Sequence, residues 1–292
     1  MRVGCPREIK PQENRVGLVP SSVRELVAHG HEVIVETGAG AGVNFSDDDY
    51  RAAGASLRET ADEIFAQADM VVKVKEPQPA ECKKLRPDQI LFTYLHLAAD
   101  KPQAEGLIGS GCVAVAYETV TGPQGRGLPL LAPMSEIAGR LAVQVGAFYM
   151  QKHKGGGGRM ITGVPGVLPA KTLVLGGGVA GFNAARMAVG MESDVTILEK
   201  SHDRLRFLDD YFAGRAKIAY SNEETLERMI AESDLIIGAV LIPGAAAPKL
   251  ISRGMLKRMN PGTVMVDIAI DQGGCFETSH ATTHEDPIYE VD

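Results

Sequence analysis

The chain has 292 residues, of which 45% are hydrophobic, and this length predicts two domains with a core each. The net charge of −7, without a block of basic residues interleaved with aromatics, argues against a nucleic-acid or anionic-membrane partner. The charged start lacks the apolar region of a signal peptide, and no apolar run approaches about 18 residues, so we expect a soluble, cytoplasmic protein.

Short apolar runs alternate with helix-like segments in the first part of the chain. Such repeated units predict a mostly parallel sheet covered by helices on both faces. The predicted strands are 2–5, 32–36, 70–75, 89–94 and 112–117, and the predicted helices are near 20–30, 60–68, 79–85 and 103–108. A further helix begins after the cap residue Ser46. The glycine-rich run 37–42 resembles a nucleotide loop, but no helix starts directly after it, so we assign it no nucleotide.

A Gly- and Pro-rich stretch at 122–133 marks a domain boundary, which places one domain at 1–130 and the other at 131–292. A long helix at 134–152 joins the domains, and 155–158 forms a flexible loop. In the second domain we predict strands at 171–175, 194–199, near 218, 234–239 and 263–268, and helices near 202–213, 223–231 and 251–258. The fold class is therefore α/β, with two doubly wound Rossmann-like domains of mostly parallel sheets.

The apolar run from Lys171 breaks into glycines with the spacing G-x-G-x-x-G, at Gly176, Gly178 and Gly181. These glycines permit a sharp turn, a close approach to a pyrophosphate and tight packing of the next helix. Glu199 ends the following apolar strand about 20 residues later, where a dinucleotide fold holds the ribose. A strand-to-helix turn without a cofactor is the alternative, but the flanking strand, the helix and the carboxylate favour a dinucleotide.

The cysteines and two neighbouring histidines give no sign of a disulfide framework or a metal site. The cysteines are far apart and form no C-x-x-C pair, a pattern typical of reduced, mostly buried thiols; they are Cys5, Cys82, Cys112 and Cys275. His280 and His284 lie four residues apart in a loop-like segment, and we expect them to be exposed and to bind no metal.

Polar residues that close apolar strands are the candidates for chemistry, because ligands of open α/β sheets bind beyond the carboxyl ends of the strands. Lys75, His96 and Asp271 lie at such ends, and Arg15 lies in a loop that can fold over the same crevice. Histidine titrates nearest neutral pH and suits proton transfer. From pattern alone, a structural role stays open for Lys75, since Lys73 lies on the same face of the strand. A structural role stays equally open for His96.

Several segments together resemble the family of alanine dehydrogenases and transhydrogenase α subunits. The similarity runs from Met1 to about Tyr289. It is carried by the segments RVGLVP (15–20), VKEP (74–77), FTYLHLA (92–98), LAPMSEIAGR (131–140), GAVLIPG (238–244) and VDIAIDQGG (266–274).

The resemblance implies reversible, NAD-dependent oxidative deamination of L-alanine to pyruvate and ammonia, with hydride transfer to the cofactor. Arg15 and Lys75 would bind the substrate carboxylate and keto oxygen, His96 would act as acid and base, and Asp271 would orient the water or amine. The first domain would be the substrate domain and the second the NAD domain. The NAD-binding residues implied are Ser135, Gly176, Gly178, Val179, Ala180, Gly181, Glu199, Val240, Leu241 and Asp271.

Family members form homo-oligomers, a hexamer by the resemblance, and continue past the point that matches Asp292. We therefore expect this chain to lack the family's C-terminal segment and its first domain to be incomplete. Two alternatives remain at this stage. One is a transhydrogenase-like NAD(H) domain without alanine dehydrogenase activity, against which the pair Lys75 and His96 argues, and the other is a truncated NAD(H)-binding remnant.

Overall fold

The computed structural model describes residues 1–97, 100–240 and 246–291, which form two compact units, Met1–Leu131 and Ala132–Asp292. Both contain a parallel sheet with helices in its connections. The predicted fold class, two parallel α/β domains, is confirmed. Among the described residues, no helix is long and apolar enough to cross a bilayer.

The first unit holds a six-stranded parallel sheet in the order β3-β2-β1-β4-β5-β6. Its strands are β1 (Arg2–Cys5), β2 (Glu32–Glu36), β3 (Ser56–Arg58), β4 (Met70–Val72), β5 (Ile90–Thr93) and β6 (Val113–Ala116). Its helices are α1 (Pro20–Ala28), α2 (Asp47–Ala52), α3 (Ala61–Gln67), α4 (Pro79–Cys82) and α5 (Lys101–Ser110).

Side chains along the strands of this sheet alternate between two hydrophobic cores, one on each face. On β2, Val33 and Val35 pack in one cluster while Ile34 packs in the other, because successive strand side chains point to opposite faces. Helix α3 packs so closely on β1 that a Cβ added at Gly4 would lie 2.7 Å from the Cβ of Ala68. The apolar runs thus account for a sheet buried on both sides.

The second unit begins with the long helix α6 (Ala132–Tyr149) and holds a five-stranded parallel sheet in the order β11-β10-β7-β8-β9. Its strands are β7 (Lys171–Leu175), β8 (Asp194–Glu199), β9 (Lys217–Tyr220), β10 (Leu235–Gly238) and β11 (Val264–Asp267). The remaining helices are α7 (Val179–Gly190), α8 (His202–Phe212), α9 (Glu223–Glu232) and α10 (Arg253–Leu256). On β7, Val174 packs in one core and Leu173 and Leu175 in the other.

Several elements differ from the sequence-based prediction in their bounds, and for three of them the contacts give the reason. Strand β3 has only three residues and no apolar run, and it forms by pairing beside β2, with Ser56 opposite Ile34. Strand β4 ends at Val72 and not at residue 75, because on its β1 side the next N–H group, that of Val74, is accepted by the Glu8 side chain and not by the β1 backbone. Helix α10 starts after Ile251, whose carbonyl accepts from Glu277 N at 2.8 Å in a bridge to the later chain.

The cysteines are free thiols. Cys5, Cys82 and Cys275 are buried and Cys112 is half-buried. Burial raises the pKa of the Cys5 thiol to about 12. His280 and His284 are exposed, and the His280 ring stacks on Tyr289 with 3.6 Å between centroids.

Candidate functional site

In the first unit, Lys75 lies just beyond the carboxyl end of β4 with 20% of its side chain exposed. Its backbone N–H donates to Glu8 at 3.3 Å, and its carbonyl accepts from Thr93 Oγ1 at 2.9 Å. The Lys75 ammonium lies 3.3 Å from Glu76 Oε2. The backbone is thus held on both sides, while part of the side chain stays exposed to solvent.

Glu76 also accepts a hydrogen bond from Lys10. Burial by itself raises the pKa of the Glu76 carboxyl, but the hydrogen bond from Lys10 and the charges of Lys75 and Lys10 more than offset it, and the pKa falls below its usual value. Glu76 is therefore an anion that two lysines share.

His96 lies three residues beyond β5 in the left-handed region, with a φ of +49°. The Glu118 carboxylate accepts the backbone N–H groups of Leu95 at 3.1 Å and His96 at 2.7 Å. Histidine tolerates this conformation better than most residues, and Glu118 holds the turn. The Tyr94 ring stacks beside the imidazole with 6.0 Å between centroids, and the Tyr94 hydroxyl donates to the carbonyl of Leu130.

Arg15 lies in the exposed loop after β1 and donates two hydrogen bonds to the carboxylate of Glu13. Nε lies 2.8 Å from Oε1, and Nη2 lies 2.5 Å from Oε2. The hydrogen bonds between them lower the pKa of Glu13 and raise that of Arg15. The charge of Lys75 lowers the pKa of Glu13 further, so Arg15, Glu13 and Lys75 share one electrostatic neighbourhood. Tyr94 belongs to it: burial raises its pKa, and the charge of Arg15 opposes the rise.

Two glycines allow close packing of the loop that carries Arg15. A Cβ added at Gly17 would lie 2.7 Å from the carbonyl oxygen of Val72, and one at Gly42 would lie 2.6 Å from that of Asn14. The glycine-rich run 37–42 therefore packs against the Arg15 loop, which accounts for Gly42 without a nucleotide.

Lys73 does not join Lys75 at this surface. Its side chain is fully buried, and its ammonium lies 2.9 Å from Glu8 Oε2 and 2.8 Å from Glu81 Oε1. Burial alone lowers the pKa of Lys73, but the two carboxylates outweigh it and the pKa rises above its usual value. In the sequence, a lysine inside an apolar strand indicates a buried ion cluster of this kind. It does not indicate which carboxylates pair with the lysine.

In the second unit, β7 turns into α7 through Gly176, which has a φ of +91°. A Cβ added at Gly181 would lie 1.8 Å from the Gly176 carbonyl oxygen, whereas one at Gly178 would meet no atom within 4 Å. The structure thus shows a turn at Gly176, tight helix packing at Gly181 and open space at Gly178. This is the arrangement in which a dinucleotide pyrophosphate approaches the backbone.

We expect Gly181→Ala to destabilise the second unit by about 1–3 kcal/mol or more, because the new methyl can be placed only by moving the turn away from the helix. Gly178→Ala is the matched control. It adds the same methyl in the same motif, where the residue has a φ of −62° and open space. Calorimetric unfolding should show a lower transition temperature for the first variant only, and equal stability of the two would contradict the packing described here.

Glu199 ends β8 and reaches back to the glycine turn. Its Oε2 accepts from Gly177 N at 2.8 Å, and its Oε1 accepts from Lys200 N at 2.7 Å and Ser201 N at 3.0 Å. The carboxylate is therefore held at the tip of the turn, as a ribose ligand of a dinucleotide fold must be.

Arg204, which the sequence-based site did not include, also contacts the glycine turn. Its Nε donates to the Gly177 carbonyl at 2.5 Å, and its guanidinium lies 4.4 Å from the Phe207 ring centroid. Burial lowers the pKa of Arg204, and the charge of Glu199 partly offsets this.

Of the other predicted cofactor residues, Val240 lies beside the glycine turn. Val240 follows β10, and its Cγ2 would be 3.0 Å from a Cβ at Gly176. Ser135 is half-buried in the first turn of α6, and a Cβ at Gly139 on that helix would lie 2.1 Å from the Ala180 carbonyl oxygen. Val179 begins α7, and Leu241 lies outside the described residues.

Asp271 is exposed on a short 3-10 helix, Ile268–Gln272, that follows β11. A different carboxylate organises this loop. Asp267 accepts from Cys275 N at 2.8 Å, from Ala269 N at 3.0 Å and from the Ser279 hydroxyl. The structure thus separates a half-buried loop anchor, Asp267, from an exposed carboxylate, Asp271, which the spacing of the two residues alone does not distinguish.

A parallel sheet with the glycine turn and a strand-end carboxylate defines a Rossmann-type unit, and a second parallel α/β unit precedes it. These features place the chain in the class of two-domain α/β proteins with a dinucleotide fold. The family model "Alanine dehydrogenase/PNT, N-terminal domain" matches residues 4–138, and "Alanine dehydrogenase/PNT, C-terminal domain" matches residues 142–292. The chain belongs to the alanine dehydrogenase/PNT family, as the motifs predicted.

Individual relatives agree with this assignment. An alanine dehydrogenase of Halomonas elongata is 56% identical over 292 residues, which cover 100% of this chain and 78% of that protein. A solved L-alanine dehydrogenase is 52% identical with a TM-score of 0.92, covering 100% of this chain and 80% of that one. A transhydrogenase from Sinorhizobium meliloti is 27% identical with a TM-score of 0.81, covering 100% of this chain and 83% of that one.

Proposed function

We propose that the protein is an NAD-dependent L-alanine dehydrogenase, which interconverts L-alanine with pyruvate and ammonia. The observation that supports this proposal is that Arg15, Lys75 and His96 follow three neighbouring strands of the first unit, β1, β4 and β5. Two cations and one proton-transfer group are what a 2-oxo acid requires. Residues 1–130 would form the substrate domain and residues 131–292 the NAD domain.

The two cations divide the anionic substrate between them. The guanidinium of Arg15 suits the planar carboxylate, because it can donate two parallel hydrogen bonds. The ammonium of Lys75 would donate to the keto oxygen and stabilise negative charge that develops there. The guanidinium of Arg15 already donates to both carboxylate oxygens of Glu13, through Nε and Nη2.

His96 would move the proton. In deamination it would take a proton from the water that attacks the imino carbon, and in the reverse direction it would return one. Asp271 would orient that water or the amine. Bound NAD supplies the hydride acceptor, and the second unit would hold it through the open turn at Gly178, the carboxylate of Glu199, and Ser135, Gly176, Val179, Ala180, Gly181, Val240, Leu241 and Asp271.

The experiment that tests this function is NADH oxidation by the purified chain with pyruvate and ammonium. Consumption that requires all three reactants supports alanine dehydrogenase. NADH binding by calorimetry without turnover would favour an NAD(H)-binding remnant. The 27% identity to a transhydrogenase keeps a second enzymatic candidate in view, in which hydride passes to a partner dinucleotide without a 2-oxo acid. Hydride exchange between NADH and an NAD analogue without pyruvate would favour that candidate.

We expect NAD to bind at least about tenfold more tightly than NADP, a difference of about 1.4 kcal/mol, because the Glu199 carboxylate would accept from the ribose hydroxyls and repel a 2′-phosphate. Glu199→Gln keeps an acceptor oxygen but removes the charge, so it should narrow the difference. Titration calorimetry with both cofactors measures it. Equal affinities of the unaltered protein would contradict the role of Glu199.

A homo-oligomer, a hexamer by family resemblance, is also part of the proposal. Large apolar side chains follow one another along α6 at helical spacing with between 44% and 50% of each exposed; they are Ile137, Leu141, Val145 and Phe148. A row of this kind on a helix supports contact with another surface. Sedimentation velocity measures the state of assembly directly.

A further inference from the structure

Glu8 is a buried carboxylate with three partners around Lys75. It follows β1, and its side chain is only 2% exposed. One oxygen, Oε2, accepts from the Lys73 ammonium at 2.9 Å. The other, Oε1, accepts from the backbone N–H groups of Val74 at 2.6 Å and Lys75 at 3.3 Å.

The Glu8 side chain replaces a strand at this point. Strands β1 and β4 pair only through Val3 with Met70 and Gly4 with Val71. The chain then continues through Pro6, which has no N–H, and leaves the ladder. The two amide groups that lead to Lys75 are therefore held by a carboxylate and not by a neighbouring strand.

Glu81 provides an internal comparison. It is as deeply buried as Glu8, and its Oε1 lies 2.8 Å from the same Lys73 ammonium. Its second oxygen accepts from Gln78 N at 2.8 Å and caps α4. The two carboxylates thus share one lysine and differ in what the second oxygen holds, which is the peptide before Lys75 for Glu8 and a helix start for Glu81.

We propose that Glu8 is a positioning residue, which fixes the peptide groups of Val74 and Lys75 so that the Lys75 ammonium meets the substrate. This inference rests on the role proposed for Lys75 above. A shift of about 1 Å in a substrate-positioning group can cost about a hundredfold in rate. Lys73 completes the arrangement, because its charge compensates the burial of Glu8.

The test compares Glu8→Gln with Glu81→Gln. Each variant removes one buried negative charge and leaves Lys73 one carboxylate partner. The glutamine at position 8 has only one acceptor oxygen, so it cannot serve both Lys73 and the two amide groups. We expect both variants to lower the unfolding temperature. Only Glu8→Gln should reduce kcat/KM for pyruvate, by about ten- to a hundredfold, while its NADH affinity stays unchanged.

Amide hydrogen exchange supplies a readout that does not depend on turnover. Peptides covering residues 73–76 should exchange faster in Glu8→Gln than in Glu81→Gln. If Glu8→Gln does not fold, Glu8→Asp is the second variant. Its shorter side chain keeps the negative charge but draws the carboxylate away from the N–H groups of Val74 and Lys75. Kinetics, NADH affinity and amide exchange are then measured on Glu8→Asp.

Equal loss of stability with wild-type kinetics and equal exchange in both variants would overturn the positioning role. Absence of pyruvate turnover in the unaltered protein would instead contradict the proposed function, and faster exchange in Glu8→Gln alone would then still support the hold of Glu8 on this segment.

Discussion

Lys75→Ala is expected to lose at least about a hundredfold in turnover with pyruvate and ammonium while it still binds NADH. Removing one partner of a buried, charged hydrogen bond costs on the order of 2–5 kcal/mol, and this cost falls on the state in which the keto oxygen gains negative charge. The backbone of Lys75 is held by Glu8 and Thr93, so truncating the side chain leaves the strand end in place. Steady-state kinetics together with NADH titration measure the effect.

Lys83→Ala is the matched control, since Lys83 is an exposed lysine of the same unit. It should keep wild-type kinetics. In Lys75→Ala, Glu76 still has Lys10 as a partner, so the unfolding temperature should change little. Near-wild-type turnover of Lys75→Ala would mean that the substrate does not bind at this strand end.

Most of the sheet architecture could be predicted because short apolar runs bounded by polar residues or turn signals are typical of buried strands. Strands β1, β2, β7 and β8 match the predicted strands to the residue. Strand β3 could not be found, since its three residues become a strand only by pairing beside β2. Its existence depends on tertiary contacts, which local patterns do not contain.

In the candidate site, too, some features could be predicted from the sequence and others could not. The glycine turn and Glu199 could be predicted, because each glycine has a steric role that its spacing encodes, and the structure shows the close packing at Gly181. The carboxylates Glu8 and Glu118 could not, since each acts on backbone amides far along the chain, 66 and 22 residues away. Local sequence gave no indication that these acids hold the strand ends that carry Lys75 and His96.

The two strand ends that carry Lys75 and His96 share one feature, a glutamate side chain that accepts backbone N–H groups. Beyond each strand end, two successive backbone N–H groups donate to a buried or half-buried glutamate from another segment. At His96 such a side-chain acceptor accompanies a left-handed backbone conformation, with a φ of +49°. The backbone that carries Lys75 and His96 is therefore held by side-chain hydrogen bonds, which would help to orient the polar groups of the candidate site.

His96→Gln is expected to reduce kcat by about a hundredfold or more, with a smaller change in KM for pyruvate, because general acid and base catalysis contributes about 10²–10⁴-fold. Glutamine keeps much of the size and some hydrogen bonding but exchanges no proton near neutral pH. The pH–rate profile of the unaltered protein should therefore have a limb that the variant lacks. His96→Asn serves as a second variant, because asparagine accepts a positive φ more readily, and agreement of the two excludes a backbone effect.

His29→Gln is the control for this change, since His29 is an exposed histidine of the same unit whose Nδ1 lies 2.8 Å from the Glu25 carbonyl oxygen. It should keep both the rate and the pH limb. The backbone N–H of His96 is bound by Glu118 whichever side chain is present, so the turn and NADH affinity should survive in His96→Gln. If the His96 and Lys75 variants both turned over pyruvate at near-wild-type rates, the proposed site would be wrong, and a dinucleotide-binding role would be the better account of the chain.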